Sequence, residues 1–161
     1  MVIELIWISI STLLIAFLLW RFTPVEHIRK AMLSFLAMLT VTWSLGAVVT
    51  ELHLMVHPVR LFPEATRMNF FAGFIIYPSI NALYILHYPN KSRMTQFLYT
   101  SMYALVITLW VHGMERFTDL EKYVQWSTIH QFVITFFALG LSRSFLQWFF
   151  KKPFPSVRNG G

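Results

Sequence analysis

The stretch Ala31–Thr50, AMLSFLAMLTVTWSLGAVVT, runs for 20 residues without a charged side chain. A helix rising about 1.5 Å per residue needs about 20 apolar residues to cross a hydrocarbon layer about 30 Å thick. The stretch therefore reads as a membrane-crossing helix, and the pattern repeats on both sides of it. Val2–Trp20 is a 19-residue run in which Glu4 is the one charge. Met68–Tyr88 and Met94–Met114 are each 21 residues long and uncharged, and Thr128–Phe150 is a 23-residue run broken by Arg143. Carried to the nearest helix ends, the spans are 2–20, 31–51, 68–88, 94–114 and 127–150. None of the intervening runs alternates polar with apolar in the manner of a half-buried strand, and open strands do not span lipid. The sequence predicts an all-α, five-helix transmembrane bundle forming one domain, residues 1–152. The tail 153–161 carries two prolines and ends in Gly-Gly, and reads as flexible. Val2–Trp20 has neither a basic leader nor a convincing small-x-small cleavage site, so it reads as a retained helix.

Composition agrees with that reading. Of 161 residues, 57% are hydrophobic and 12% charged, against about 45–50% and about 25% in soluble domains. The same balance excludes intrinsic disorder. Cysteine is absent, which removes disulfides, thiolate metal sites and a cysteine nucleophile.

Charge position sets the expected orientation. Outside the spans, eight Lys and Arg fall on one side, in the first and third connections and the C-terminal tail, against four on the other. The richer side should be cytoplasmic, placing the N-terminus outside and the C-terminus inside. Six acids, Glu4, Glu51, Glu64, Glu115, Asp119 and Glu121, fall on the outer side, and Glu26 alone on the inner. The net charge of +6 is thus a topology signal, and the basic residues form no stripe that would bind nucleic acid.

Several helix ends carry signals. Thr23-Pro24-Val25-Glu26 and Thr118-Asp119-Leu120-Glu121 both have the Thr-x-x-Glu spacing of a capping box, which predicts helix starts near Pro24 and near Thr118. Pro63-Glu64 suits the start of the third helix. Trp7, Trp110 and Trp126 mark the outer interface, and Trp20 and Trp148 the inner one. Pro78 lies in mid-span, where it removes a backbone donor and clashes with the carbonyl of Phe74. It predicts a packing kink repaired by Ser79 and Asn81 or, read functionally, a hinge.

Two groups of polar residues are the site candidates. Arg143 sits within a span, where a charge costs at least about 2.5–3.5 kcal/mol, so it should face the bundle interior and pair with Asn81 at similar depth. The structural reading, an arginine satisfied by Asn81 and carbonyls, stands ahead of a lipid-phosphate or anion site. On the outer side, Glu51, His53 and His57 end the second helix, and His53 and His57 share a face. Glu51, His112, Glu115 and His130 form a candidate pocket whose imidazole and carboxylate groups suit a divalent metal or a proton-linked role. The spacing matches no zincin motif, so a polar network joining helices, without cofactor, is the first reading. No Gly-rich phosphate loop, serine elbow or Asp-rich metal box is present. Gly140 and Ser144 are spaced for close helix contact but fall short of GxxxG.

Ile76-Tyr77-Pro78-Ser79-Ile80, Tyr88-Pro89, Glu115, Thr118-Asp119-Leu120, Tyr123, Trp126, Arg143 and Trp148-Phe149-Phe150-Lys151 occur in an order and spacing that resemble a family of small multi-pass membrane proteins from endospore-forming bacilli. The resemblance covers about Asn69–Phe150. The chain departs from it at Glu121, where the family pattern has Ile, and at Thr128, where it has an aromatic residue. The resemblance implies a bacterial cell membrane and about five helices, and lends no catalytic residues. The chain as a whole reads as a non-enzymatic accessory protein whose partners are the lipid bilayer and another membrane protein or a second copy of itself. The alternatives are a small transporter or metal-binding protein built on the outer His/Glu cluster, and a lipid-acting enzyme using Arg143.

Overall fold

The computed structural model describes residues 2–90 and 92–151, so the tail 153–161 lies outside the described residues. It is an all-α bundle of five helices: α1 (Val2–Phe22), α2 (Ile28–Glu51), α3 (Tyr77–Leu86), α4 (Arg93–Phe117) and α5 (Thr128–Lys151). A wide π-turn, Ala72–Ile76, leads directly into α3. Four helices are long and apolar enough to cross a membrane: α1, α2 with its preceding 3-10 turn (Val25–Glu51), α4 and α5. The third apolar segment is shorter than its 21-residue run predicts. Ala72–Leu86 is a 15-residue helical stretch, about 22 Å long.

The connections alternate strictly between two ends. At one end, Glu4 Oε1 lies 3.5 Å from the amide of Asp119, and the Trp7 and Trp110 rings are 6.5 Å apart. At the same end a short antiparallel ladder, β1 (Met55–Val56) with β2 (Lys122–Tyr123), ties the α2–α3 connection to the α4–α5 connection. Val59 N donates to Asp119 O, and the amides of Val124 and Gln125 both donate to Leu54 O. At the opposite end the Phe22 ring meets the His87 ring edge-on at 6.1 Å, which brings the α1–α2 and α3–α4 connections together. Every helix therefore runs from one end to the other, the shortened third included. The first end carries most of the acids and is called the acidic end below; the second carries Arg21, Arg29, Lys30, Arg93 and Lys151 and is called the basic end.

Pro78 explains why the third segment is short and wide. Proline has no amide hydrogen and its ring collides with the carbonyl four residues back. The chain answers by widening the preceding turn: the amide of Tyr77 bonds to Ala72 O, one residue further back than in an α-helix. The carbonyl of Gly73 thereby loses its ordinary donor, and the Thr42 hydroxyl on α2 lies 3.0 Å from it. The hinge residue is thus a packed one, with Pro78 fully buried.

The core lies between α2, α3, α4 and α5. Met38, Tyr84, Ala104, Ile107, Val111 and Leu139 form its centre, with Tyr77, Tyr88, Tyr99 and Tyr103 packed around it. By contrast α1 is peripheral, with Glu4 and Ile15 its two buried residues. It leans on α3 and touches α4 near the acidic end, where Trp110 Nε1 donates to Ser11 Oγ at 3.2 Å.

Three predicted helix ends are corrected. The Pro63-Glu64 start is a turn closed by the amides of Ala65 and Thr66 on Phe62 O. Asn69 caps the third helical segment instead, its Oδ1 accepting from Ala72 N at 3.2 Å. The Thr118 box is not a helix start, because Thr118 Oγ1 donates back to Met114 O at 2.6 Å and accepts from Leu120 N. That closes α4 and leaves α5 to begin at Thr128. The helical segment does start directly after Pro24, as a 3-10 turn leading into α2, although no side-chain capping bond forms there. Finally, α2 stops at Glu51 and His53 adopts a left-handed φ of 53°, so His53 and His57 share no helix face.

Candidate functional site

Beneath the β1–β2 ladder, α2, the π-turn and α5 line a half-open cavity of about 110 Å³. It is apolar along most of its wall, with Trp43, Phe70, Phe74 and Trp126 among its aromatic residues. Phe70 stacks on Phe74 at 4.2 Å between centroids, and Trp43 meets Phe74 edge-on at 5.1 Å. A small set of polar groups converges on it: Asn69, Tyr77, Glu121, Gln131 and Thr135. Gln131 organises them from the first turns of α5. Its amide nitrogen donates to Tyr77 Oη at 3.3 Å and Thr135 Oγ1 at 3.1 Å, while its Oε1 accepts from Trp126 Nε1 at 3.1 Å.

Glu121 is the unusual member. It is 3% exposed, although it stands in a loop beside the ladder. The ladder causes this: pairing Tyr123 with Met55 and Lys122 with Val56 draws the loop across the bundle, so Glu121 is folded under it. Lys122 turns the other way, its Nζ donating to Glu115 O at 2.7 Å and lying 3.5 Å from Asp119. Burial pushes the Glu121 carboxyl up to about 8, with the Glu115 charge adding to the rise and a hydrogen bond from Asn69 opposing it. The group is therefore largely protonated at neutral pH. Burial and the nearby carboxyl groups of Glu121 and Glu115 likewise raise the Tyr123 phenol. His57 also lines the cavity; burial first and the Arg60 charge second bring it down to about 4, so its ring is neutral.

The cavity ends at Met38, Thr42 and Ala138. One turn further toward the basic end the bundle is shut. Asn81, with no exposure, donates from Nδ2 to Ser34 O and to Ser142 Oγ, each at 2.8 Å. Next comes the cluster Tyr84, Tyr88, Tyr99 and Tyr103, with the Tyr84 hydroxyl 2.9 Å from Thr100 Oγ1.

The expected Asn81–Arg143 pair is corrected by this arrangement. Ser142, about 100° around α5 from Arg143, takes the place beside Asn81. Arg143 instead lays its guanidinium over the Tyr88 ring at 3.8 Å, with Nη2 3.5 Å from Gln96 Oε1. The head group thus reaches the α3–α4 connection at the basic end, where the aromatic face offsets part of its desolvation. Of the other candidates, His112 and Glu115 do approach each other, Nδ1 to Oε2 at 3.9 Å, and Thr128 Oγ1 lies 3.3 Å from the same nitrogen. His130 is exposed, beside Ser127 and against the Trp126 ring, because Gln131 occupies the inward face of α5. Glu51 is exposed at the end of α2. Among the described residues no three His, Asp or Glu side chains gather around one point.

Glu121 was readable as part of a cap and so passed over as a site residue. Its position three residues after Thr118 suits a cap as well as a buried acid, and the spacing alone does not separate the two. No known family, curated protein or solved structure matches the chain.

Proposed function

We propose that the protein is a multi-pass accessory protein of a bacterial cell membrane, N-terminus outside and C-terminus cytoplasmic, that binds the transmembrane helix of a partner protein. The observation that carries this reading is a lateral groove. Below their contact at Trp7, Ser11 and Trp110, α1 and α4 part, and α3 forms the floor between them. The groove measures about 770 Å³ and its lining is almost wholly apolar, from Ile3 to Phe22 on α1 and from Met102 to Trp110 on α4. Ile3 to Phe22 covers about 28 Å along the α1 wall, while the α4 wall, Met102 to Trp110, covers about 12 Å. The exposed α1 wall continues past the two-walled part, so a helix packs along its whole length, where a single acyl chain covers one leaflet of it. The resemblance to the small membrane proteins of bacilli, and the excess of Lys and Arg at the basic end, support the membrane and the orientation. The shut half of the bundle around Asn81 and Tyr84 speaks against a through-path, and so against the transporter reading. Arg143 already covered by Tyr88 speaks against a phosphate-holding enzyme.

The test is photo-crosslinking in native membranes from Leu14 and Met102 in the groove, with Phe137 and Leu141 on α5 as exposed controls. The account expects a discrete protein adduct from the groove positions alone. Equal lipid labelling from all four positions overturns it.

A further inference from the structure

The groove does not account for the second cavity, the one that holds Glu121. An engineered apolar cavity of about 150 Å³ admits benzene, so the cavity of about 110 Å³ under the ladder, which opens to the surface beside Trp43, holds a short alkyl group whole or a small ring in part. Its deep end, at Met38 and Ala138, is apolar; its other end carries a carboxyl group. Among the described residues Glu121 forms no ion pair with Lys or Arg: Lys122 is turned toward Glu115 and Asp119, Arg116 lies 3.8 Å from Glu115, and the Arg60 charge acts on His57. The charge acting on Glu121 is that of Glu115, another carboxylate. No cation therefore compensates the Glu121 carboxyl once it ionises, toward pH 8 and above, and aromatic rings, which attract cations over their faces, line the same cavity.

We propose that this cavity is a binding site for a small primary ammonium ion bearing one apolar group. The apolar group lies against Trp43, Phe74 and Ala138, and the ammonium faces Glu121. Tyr77 Oη and the second lone pair of Gln131 Oε1 are further acceptors beside the carboxylate, so several of the ion's N–H donors meet an oxygen. A carboxylate ligand is disfavoured because it brings a like charge to Glu121, and a neutral alcohol forgoes the charge-assisted bond. Trp43, 43% exposed, forms a wall that reaches the protein surface. This site is independent of the α1–α4 groove, from which α2 and α5 face away, so either assignment stands if the other fails.

The experiment uses the full chain in nanodiscs of uncharged phosphatidylcholine at pH 8.5, where Glu121 is ionised, titrated with benzylammonium, benzyl alcohol and benzoate, and followed by calorimetry and by tryptophan fluorescence. The expected result is saturable binding of benzylammonium at least tenfold tighter than benzyl alcohol, with no binding of benzoate. Glu121→Gln should reduce that tenfold margin to below twofold with the far-ultraviolet spectrum unchanged. The wild-type comparison needs no variant, and Ala138→Leu, which fills the deep end, should weaken both ligands together. Equal affinity of the wild type for alcohol and ammonium overturns the proposal, as does a margin that survives Glu121→Gln.

Discussion

Glu121→Gln tests the buried acid through stability alone, without any ligand. In the unfolded chain the carboxyl has its ordinary value of 4.5, and in the folded protein burial raises it to about 8. Below pH 4.5 the group is neutral in both states and imposes no penalty. Between 4.5 and about 8 the folded state holds a proton that the unfolded state has released, so stability falls as pH rises, and above about 8 the full loss remains. At about 1.4 kcal/mol for each tenfold change in proton affinity, the loss reaches about 5 kcal/mol as an upper bound. His57 runs the opposite way: its lowered value leaves full stability above 6.5, lost as pH falls toward about 4. The difference between wild type and Glu121→Gln cancels that contribution. Unfolding midpoints in mixed micelles, measured from pH 5 to 9, should be similar at the acid end and diverge with pH, the variant becoming the more stable by several kcal/mol at pH 8–9. Parallel curves across the whole range would refute the claim that Glu121 is buried as a neutral acid.

Three further outcomes follow from the same structure. Asn81→Leu keeps the branched shape of the side chain but removes both 2.8 Å bonds to Ser34 and Ser142, and should lower stability by about 1–2 kcal/mol in the same unfolding assay. A side chain at Gly113 meets Trp7 Cη2 at 3.0 Å, so Gly113→Leu should pry α1 away; amide exchange should rise in α1 while α2 to α5 keep their protection. Because an ammonium ligand requires Glu121 ionised, benzylammonium affinity should rise about tenfold per pH unit up to about pH 8 and then level off, whereas benzyl alcohol affinity should not change.

The helices were legible because lipid demands long uncharged runs, and those runs are in plain view from Val2 to Phe150. What the runs could not show was how much of each is helix. Met68–Tyr88 contains 21 uncharged residues, yet Asn69 caps the segment and Pro78 widens it, so the regular helix is shorter than the apolar stretch. The Thr118-x-x-Glu121 box misleads for a local reason: a threonine hydroxyl just past a helix can turn back to the last carbonyls, as Thr118 does, and the spacing is blind to that choice. The site was less legible than the fold. The depth of Asn81 and Arg143 was matched correctly along the axis, but azimuth decided the partner, and it went to Ser142. On the acidic end, titratable residues were grouped by height while the ladder between Met55 and Tyr123, a two-residue pairing with no sequence signature, determined which acid is covered. Glu51 and His130 remained outside, and Glu121 went in.

The central claim is that five helical segments, the short third one included, pass from side to side of a membrane. With no native cysteine, single cysteines at Glu64, Val124, Glu26 and Asn90 can each be probed on intact cells with a membrane-impermeant maleimide. The account predicts labelling at 64 and 124 in intact cells, and at 26 and 90 only after permeabilisation. Labelling of 64 and 26 from the same side, or of 64 and 124 from opposite sides, would contradict it.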